Sequence, residues 1–402
     1  MAGRATLWLA VALLTGCVGG PAVAQKAYGP GVDDKEIKIG QTSPLSGPAS
    51  AFGTSGRAQA AYFQAVNDRG GVNGRKLNFT ILDNAYSPPK ALEQARRLVE
   101  EIGIFAEVGT IGTPTNSATQ KFMNDRRVPQ LFIAAGGKRF TDPEHFPWTV
   151  PLYPRLSDEG AIAAKYVLKA KPDAKIGLLY QNDDFGKDYL QGFKAALGSK
   201  VSQVVAEVPY ELSDATVDSQ ILKLKAAGVD ALVQQAVPKF TAQAIRKVHE
   251  LNWSPLYVIG NSASSIESSL KPAGLEASKG LVTTQFLKQI DDPQWANDAD
   301  VKTYKAFVAK YLPNDKANDF LVVGGYLSAN AIVMALEKCG DNLTRENLLK
   351  QATSFKDVAL PLLLPGVVIN ISPDDYSAYR SLRIARFDGE RWIVENGSIS
   401  AR

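Results

Sequence analysis

The sequence predicts an α/β protein of two lobes, each built on a parallel sheet. Three observations carry this reading. Short apolar, β-branched runs alternate with helical patterns, strand following strand at roughly 25–30 residues, the repeat of βαβ units. The alternation runs twice, with the Pro- and aromatic-rich stretch "DPEHFPWTVPLYPRLSDEG" between the two series as a crossover. The 402 residues also exceed what one ordinary core holds.

In the first series, strands are expected over residues 37–41, 77–83, 105–109 and 130–134, with helices over 52–68, 88–101 and 114–126. Pro88 and Pro114 each follow a Ser or Thr, the order of a helix cap and its first residue. The second series places strands at 175–180, 201–208, 231–235, 256–260 and 280–284, with helices at 187–197, 217–227 and 241–251. Then the alternation stops. Residues 298–311 and 318–339 read as long helices, and 344–352 as a third capped by Thr344. "PGVVINISPDDY" and "YRSLRIARFDGERWIV" read as short antiparallel strands, with Asp388 and Gly389 as a hairpin turn. A tail this long has to return to one or both halves, which joins them by several crossings and leaves a cleft between.

Composition sets exclusions. Hydrophobic residues make up 45% and charged residues 21%, an ordinary globular balance. The net charge of +4 is small, and Lys and Arg are interspersed with Asp and Glu, so no nucleic-acid surface is indicated. "MAGRATLWLAVALLTGC" has the layout of an export signal, with an early Arg, apolar residues 7–14, and then small residues. Its apolar core is too short to span a bilayer. Two processing sites compete: cleavage after "AVA", removing residues 1–24, or cleavage after residue 16, leaving Cys17 of "LTGC" lipidated as in a bacterial lipobox. Both export the chain, to the periplasm or to a membrane-tethered face toward it. Only Cys17 and Cys339 occur, so no internal disulfide survives processing and a cysteine-ligated metal site is excluded.

The catalytic inventory is thin. His145 and His249 stand in unrelated contexts, without the spaced partners of a zinc hydrolase, and no Gly-x-Ser-x-Gly elbow occurs. The strand-end loops say more. "VGTIGTPTN" lacks both the Lys-Ser/Thr of a phosphate loop and the three-glycine dinucleotide spacing. A helix starting at Pro114 still presents free backbone N–H groups and a positive dipole end. Thr110, Thr113 and Thr115 add hydroxyls that suit a carboxylate or another small polar group; the alternative is a plain turn capped by Thr113. In "IAAGGKRF", Gly136 and Gly137 either let backbone amides approach a ligand or make a flexible turn. "SPLSGPASAFG" offers Ser46, Ser50 and Phe52, the last a core residue or a ligand platform. "YQNDDFGKDY" sets Asp183, Asp184 and Phe185 between strand and helix, where an Asp also suits capping; the spacing is not that of a calcium loop. "IGNSASS" is another polar strand end. In open α/β sheets the carboxyl ends of strands are where ligands bind.

Taken in order, "IKIGQTSPLSGPASAFG", "AVNDRGGVNGRKLNFTILDN", "VPQLF" before the Gly loop, "YQNDDFGKDY" and the late "INISPDDY" and "RFDGERW" resemble the periplasmic leucine/isoleucine/valine-binding family. These are the type I solute-binding proteins of ABC transporters, and the likeness runs from about Lys35 to the C-terminus. It implies a Venus-flytrap receptor with three interlobe crossings, the lobes being residues 34–153 with 285–363, and 154–284 with 364–402. Such a protein closes on a small molecule, hands it to membrane permease subunits, and does no chemistry; no cofactor or metal, and a monomer, are expected. The resemblance places the ligand carboxylate at Thr113 and Ala135, Gly136 and Gly137. It gives Phe52 and Phe185 as rings from the two lobes and Tyr326 as a pocket tyrosine. Amino-acid-binding members carry a Glu after the strand matching residues 256–260, whereas Asn261 or Ser262 stands there here. Asp183 or Asp184 is a substitute partner for an ammonium; the simpler expectation is a ligand without one, an aromatic or aliphatic carboxylate or an amide. Tyr153 lines such a pocket, with Arg155 beside it, unless both serve the hinge surface. A ligand sensor of the same fold is the alternative function, and an exported hydrolase a more distant one.

Overall fold

The computed structural model describes Gly3 and residues 26–400, so both processing sites expected near the N-terminus, after residue 24 and at Cys17, fall outside the described residues. The first half lays down β1 (Ala27–Tyr28), β2 (Glu36–Ser43), α1 (Gly53–Asp68), β3 (Lys76–Asp83), α2 (Pro88–Arg96), β4 (Ala106–Val108), α3 (Thr113–Asp125), β5 (Gln130–Ile133) and β6 (Thr149–Pro151). The second adds α4 (Leu156–Ala170), β7 (Ile176–Gln181), α5 (Asp184–Leu197), β8 (Val204–Tyr210), α6 (Asp218–Ala226), β9 (Ala231–Gln235), α7 (Pro238–Glu250), β10 (Leu256–Ile259), α8 (Lys271–Ala273) and β11 (Val282–Gln285). The remainder supplies α9 (Ala299–Tyr311), α10 (Phe320–Cys339), β12 (Asn342–Leu343), α11 (Arg345–Ala352), β13 (Phe355–Val358), β14 (Ile369–Ile371), β15 (Ser381–Phe387), β16 (Trp392–Val394) and β17 (Ile399–Ser400).

The two expected sheets are present. The first runs β3-β2-β4-β5-β6, parallel throughout. The second runs β16-β15-β11-β10-β9-β7-β8; its core from β8 to β11 is parallel, and the late hairpin β15–β16 closes the edge antiparallel to β11. β4 and β5 are buried along their whole length, as strands covered on both faces must be. The turn at Asp388 and Gly389 forms as expected, with Asp388 Oδ1 accepting from the Glu390 and Arg391 amides and Gly389 at φ 110°.

Local chemistry explains the element ends. Asp183, Asp298, Asp319 and Thr344 each accept a hydrogen bond from a backbone N–H of the helix they precede. Three expectations need correction. Ser87 takes the cap position before Pro88 as expected, without a side-chain bond, but before α3 that position belongs to Gly112, at φ 112°, and Thr113 is the helix's first residue. The helix expected over 88–101 widens into a π-helical turn over Arg97–Ile102 and ends at left-handed Gly103. The strand expected from 201 starts at Val204, because residues 198–203 form a 3₁₀ turn.

Helix α10 is long and apolar enough to cross a membrane, but it packs as a core helix. A Cβ on its Gly325 would stand 2.5 Å from the Ser55 carbonyl of α1, so the two helices meet through small residues. The chain passes between the sheets after β6, after β11 and before β15. One aromatic cluster ties these passages together: Phe286 lies 6.2 Å from the Tyr153 ring, 4.8 Å from Tyr379 and 6.0 Å from Phe320.

Candidate functional site

The carboxyl ends of both sheets supply the walls of one buried cavity. From the first come Phe52, Tyr86, the run from Ile111 to Thr113, and Ala134 to Gly136; from the second, Phe185 and Ser262. Tyr153 and Leu156 enter from the first passage, and Phe320 and Leu321 from the start of α10. The space is about 30 Å³, room for roughly two waters.

The loop before α3 is held by its own side chains. Thr110 Oγ1 donates to Asn116 Oδ1 at 2.5 Å, Asn116 Nδ2 donates to the Gly112 carbonyl at 2.7 Å, and Thr115 Oγ1 donates to the same carbonyl at 3.1 Å. Thr110 and Thr115 are therefore committed to the turn. Thr113 forms none of these bonds and lines the cavity beside the helix N-terminus, where backbone N–H groups lack intrahelical acceptors. Below it, Gln130 Nε2 reaches Glu107 Oε2, Asn116 Oδ1 and Thr119 Oγ1 at 2.9–3.1 Å, and Gln130 Oε1 accepts from Thr149 Oγ1 at 3.0 Å. This buried network fixes α3 on the sheet. Burial pushes the Glu107 carboxyl up to about 7, against the hydrogen bonds from Gln130 and Thr42.

On the opposite wall, Glu159 of α4 does the positioning. Its Oε1 accepts from the Asn261 amide at 2.6 Å and from Thr284 Oγ1 at 3.1 Å, and Tyr153 Oη donates to Asn261 Oδ1. Glu159 thus ties the loop carrying Ser262 to the strand that leads into the second passage. Burial raises its carboxyl to about 7.

Seven residues expected at the site converge: Phe52, Thr113, Ala135, Gly136, Tyr153, Phe185 and Ser262 all line the cavity. Three do not. Asp184 is half-exposed at the cleft rim, where its Oδ2 accepts from Ser117 Oγ at 3.4 Å and stands 4.0 Å from Arg139, in an open groove of about 1050 Å³. Tyr326 packs among Tyr62, Tyr304 and Phe307 with ring centroids 5.0 Å away. Only the first turn of α10 reaches the cavity; Tyr326 lies further along the helix, on its face toward α1 and α9. Gly137 lies against Thr113 and Phe140 outside the lining, and Gly136 owes its lack of a Cβ to the Pro154 carbonyl of the first passage, 2.1 Å from where that atom would sit. Asp183 is occupied by its cap, accepting from the Phe185 amide at 2.9 Å and from Gln181 Nε2 at 2.5 Å. Arg155 pairs with Asp158 at 2.8 Å.

Sequence reasoning missed Tyr86 and Phe320. Phe320 directly follows the capping Asp319, so the helix start was its signal. Tyr86 had none, because it reaches the cavity from a turn in which Ala85 and Tyr86 are both left-handed, at φ 51° and 58°.

Two lobes, three passages and strand ends that meet around a cavity between them are the architecture of a two-lobed solute receptor. The chain belongs to the periplasmic binding protein family, whose model matches residues 36–391. It is 23% identical over 365 residues to the Leu/Ile/Val-binding protein BraC3 of Rhizobium johnstonii, covering 89% of this chain and 95% of that one. Its fold matches that of a branched-chain amino acid ABC transporter protein from Thermus thermophilus with bound valine, at TM-score 0.82 and 17% identity over 92% of this chain and 97% of that one. It also matches an ABC transporter solute-binding protein from R. palustris in complex with benzoate, at TM-score 0.76 and 18% identity over 91% and 96% of the two chains. The chain is thus a periplasmic binding protein, similar to binding proteins of branched-chain amino acid ABC transporters.

Proposed function

We propose that this protein captures a small apolar acid, aromatic or aliphatic, or the corresponding amide, and delivers it to the permease of an ABC importer. The observation that carries the reading is the cavity wall: five aromatic rings, the N-terminus of α3, and no charged side chain. A carboxylate or carboxamide oxygen fits beside Thr113 and the free amides of α3. An α-ammonium finds no counter-charge, since Asp183 is taken by its cap and Asp184 sits at the rim. Burying an unpaired ammonium costs several kcal/mol even after relaxation. The relatives' names are compatible with this: valine and benzoate share a carboxylate, and only valine adds an ammonium.

Binding requires motion, because about 30 Å³ is far below the roughly 300 Å³ and more of an occupied small-molecule site. The lobes proposed are residues 34–153 with 285–363 and 154–284 with 364–402; the pairing of β14 with β13 favours a third passage just beyond Ile371. Export with removal of the leader, or anchoring through Cys17, and action as a monomer complete the reading.

A thermal-shift panel tests it. Benzoate, phenylacetate, 4-methylvalerate and their amides are compared with leucine and valine. At least one acid or amide is expected to raise the melting temperature in a concentration-dependent way. Tight binding of leucine or valine, with no response to the acids or amides, overturns the reading.

A further inference from the structure

Two buried hydroxyls in the cavity wall make no hydrogen bond of good geometry: Tyr86 Oη, from the first lobe, which has only Gln181 within loose reach, and Ser262 Oγ, from the second, which has only Tyr153. Both residues are more than nine-tenths buried. A hydroxyl left this way costs about 1–3 kcal/mol relative to one that is bonded, and a protein keeps such groups where something else satisfies them.

Tyr86 is also held in place at an expense. Two successive left-handed residues, neither of them glycine, are strained, and they persist only where the surroundings fix them. Here the surroundings do: Asn84 Oδ1 accepts from the Tyr86 amide at 2.9 Å, and Asp83 Oδ1 accepts from Ala85 at 2.9 Å and from Leu45 at 3.0 Å. The ring lies 6.0 Å from Phe52 and fills the space where a Cβ on Gly112 would stand, 2.5 Å from Tyr86 Cε2. The hydroxyl is carried across to Gln181 and Asp183 of the second lobe, and burial, ahead of that carboxylate, keeps the phenol protonated as a donor.

We infer that Tyr86 and Ser262 form a second polar subsite, which recognises a neutral hydrogen-bonding group, a hydroxyl, on the apolar body of the ligand. Tyr86 is then a specificity-determining residue. The inference rests on the proposed function for the acid end at α3 and adds the chemistry of the rest of the ligand. Sites that bond a ligand hydroxyl discriminate strongly against the analogue lacking it, because their own buried groups are then left unpaired.

The test compares matched pairs by titration calorimetry on the intact mature protein: benzoate with its 3- and 4-hydroxy derivatives, phenylacetate with its 3- and 4-hydroxy derivatives, and benzamide with 3- and 4-hydroxybenzamide. In at least one pair the hydroxylated member is expected to bind about tenfold or more tightly. Tyr86→Phe, which keeps the ring against Phe52 and Gly112, and Ser262→Ala are expected to reduce that preference, weakening the hydroxylated member several-fold more than the parent compound. Unchanged melting temperatures of the ligand-free variants establish that they fold. Equal affinity within every pair, no binding of any pair, or loss of parent and derivative alike in both variants overturns the subsite. Binding of the amide pair with its preference intact, and of no acid, supports the subsite and strikes only the carboxylate assignment.

Discussion

At the scale of single residues, the site depends on a few positions where the backbone leaves no room. Gly112 stands at φ 112° with the Tyr86 ring and Thr115 Oγ1 where a Cβ would go, at 2.5 and 2.9 Å. Gly112→Ala is expected to cost about 1–3 kcal/mol from backbone strain alone. It should also weaken ligand binding by displacing the ring, which a melting curve and a titration read separately. Neighbouring Thr113 presents the opposite case, a buried side chain with no structural bond to lose. Thr113→Ala combined with Phe52→Ala should therefore weaken binding by more than tenfold, the threonine part acting on affinity with little effect on folding. Unchanged affinity in the double variant removes the cavity from consideration as the binding site.

At the scale of elements, α3 is aimed by what lies beneath it. Glu107 and Gln130, on adjacent strands, bond one another, and Gln130 grips Asn116 and Thr119 of the helix. The Glu107 carboxyl, raised to about 7 by burial, is ionised in the unfolded chain at lower pH than in the folded one. Its ionisation therefore opposes folding, and the wild type loses stability from this group as pH rises from about 4.5 to 7. Glu107→Gln is expected to gain on the wild type across that window, by an amount on the order of 3 kcal/mol at pH 8. Unfolding by urea at pH 5 and pH 8 measures it; a difference independent of pH contradicts the assignment. None of this network was legible in the sequence, because it joins residues separated by up to 42 positions, from Glu107 to Thr149, which only the packing of α3 on the first sheet brings together.

At the scale of the whole molecule, closure is held at the cleft rim as well as by the cavity. The Lys138 amide of the first lobe donates to Asp188 Oδ2 of α5 at 2.7 Å, close to the contact of Ser117 with Asp184. Asp188→Ala leaves both sheets untouched. At this exposed position the lost bond is worth about 1 kcal/mol, so the closed form and the affinity of the best acid in the panel should each fall by a factor of about five. Interlobe distances from spin labels, with and without that acid, follow the shift. A distance distribution identical to that of the wild type counts against an interlobe role for this contact.

The sequence by itself determined the class of fold, both parallel sheets, most helix boundaries, and the loops that wall the cleft. These follow from periodicity, caps and turn residues, which act over a few positions. Tertiary structure decided which residues those loops turn inward. Tyr326 and Asp184 were expected in the cavity and point elsewhere, one into packing against α1 and α9 and one to the rim. Tyr86 was not expected and is there, because its place is set by bonds to Asp83 and Asn84 and by space left at Gly112. Local pattern specifies where a strand ends; only the packing of one lobe against the other specifies what its loop faces.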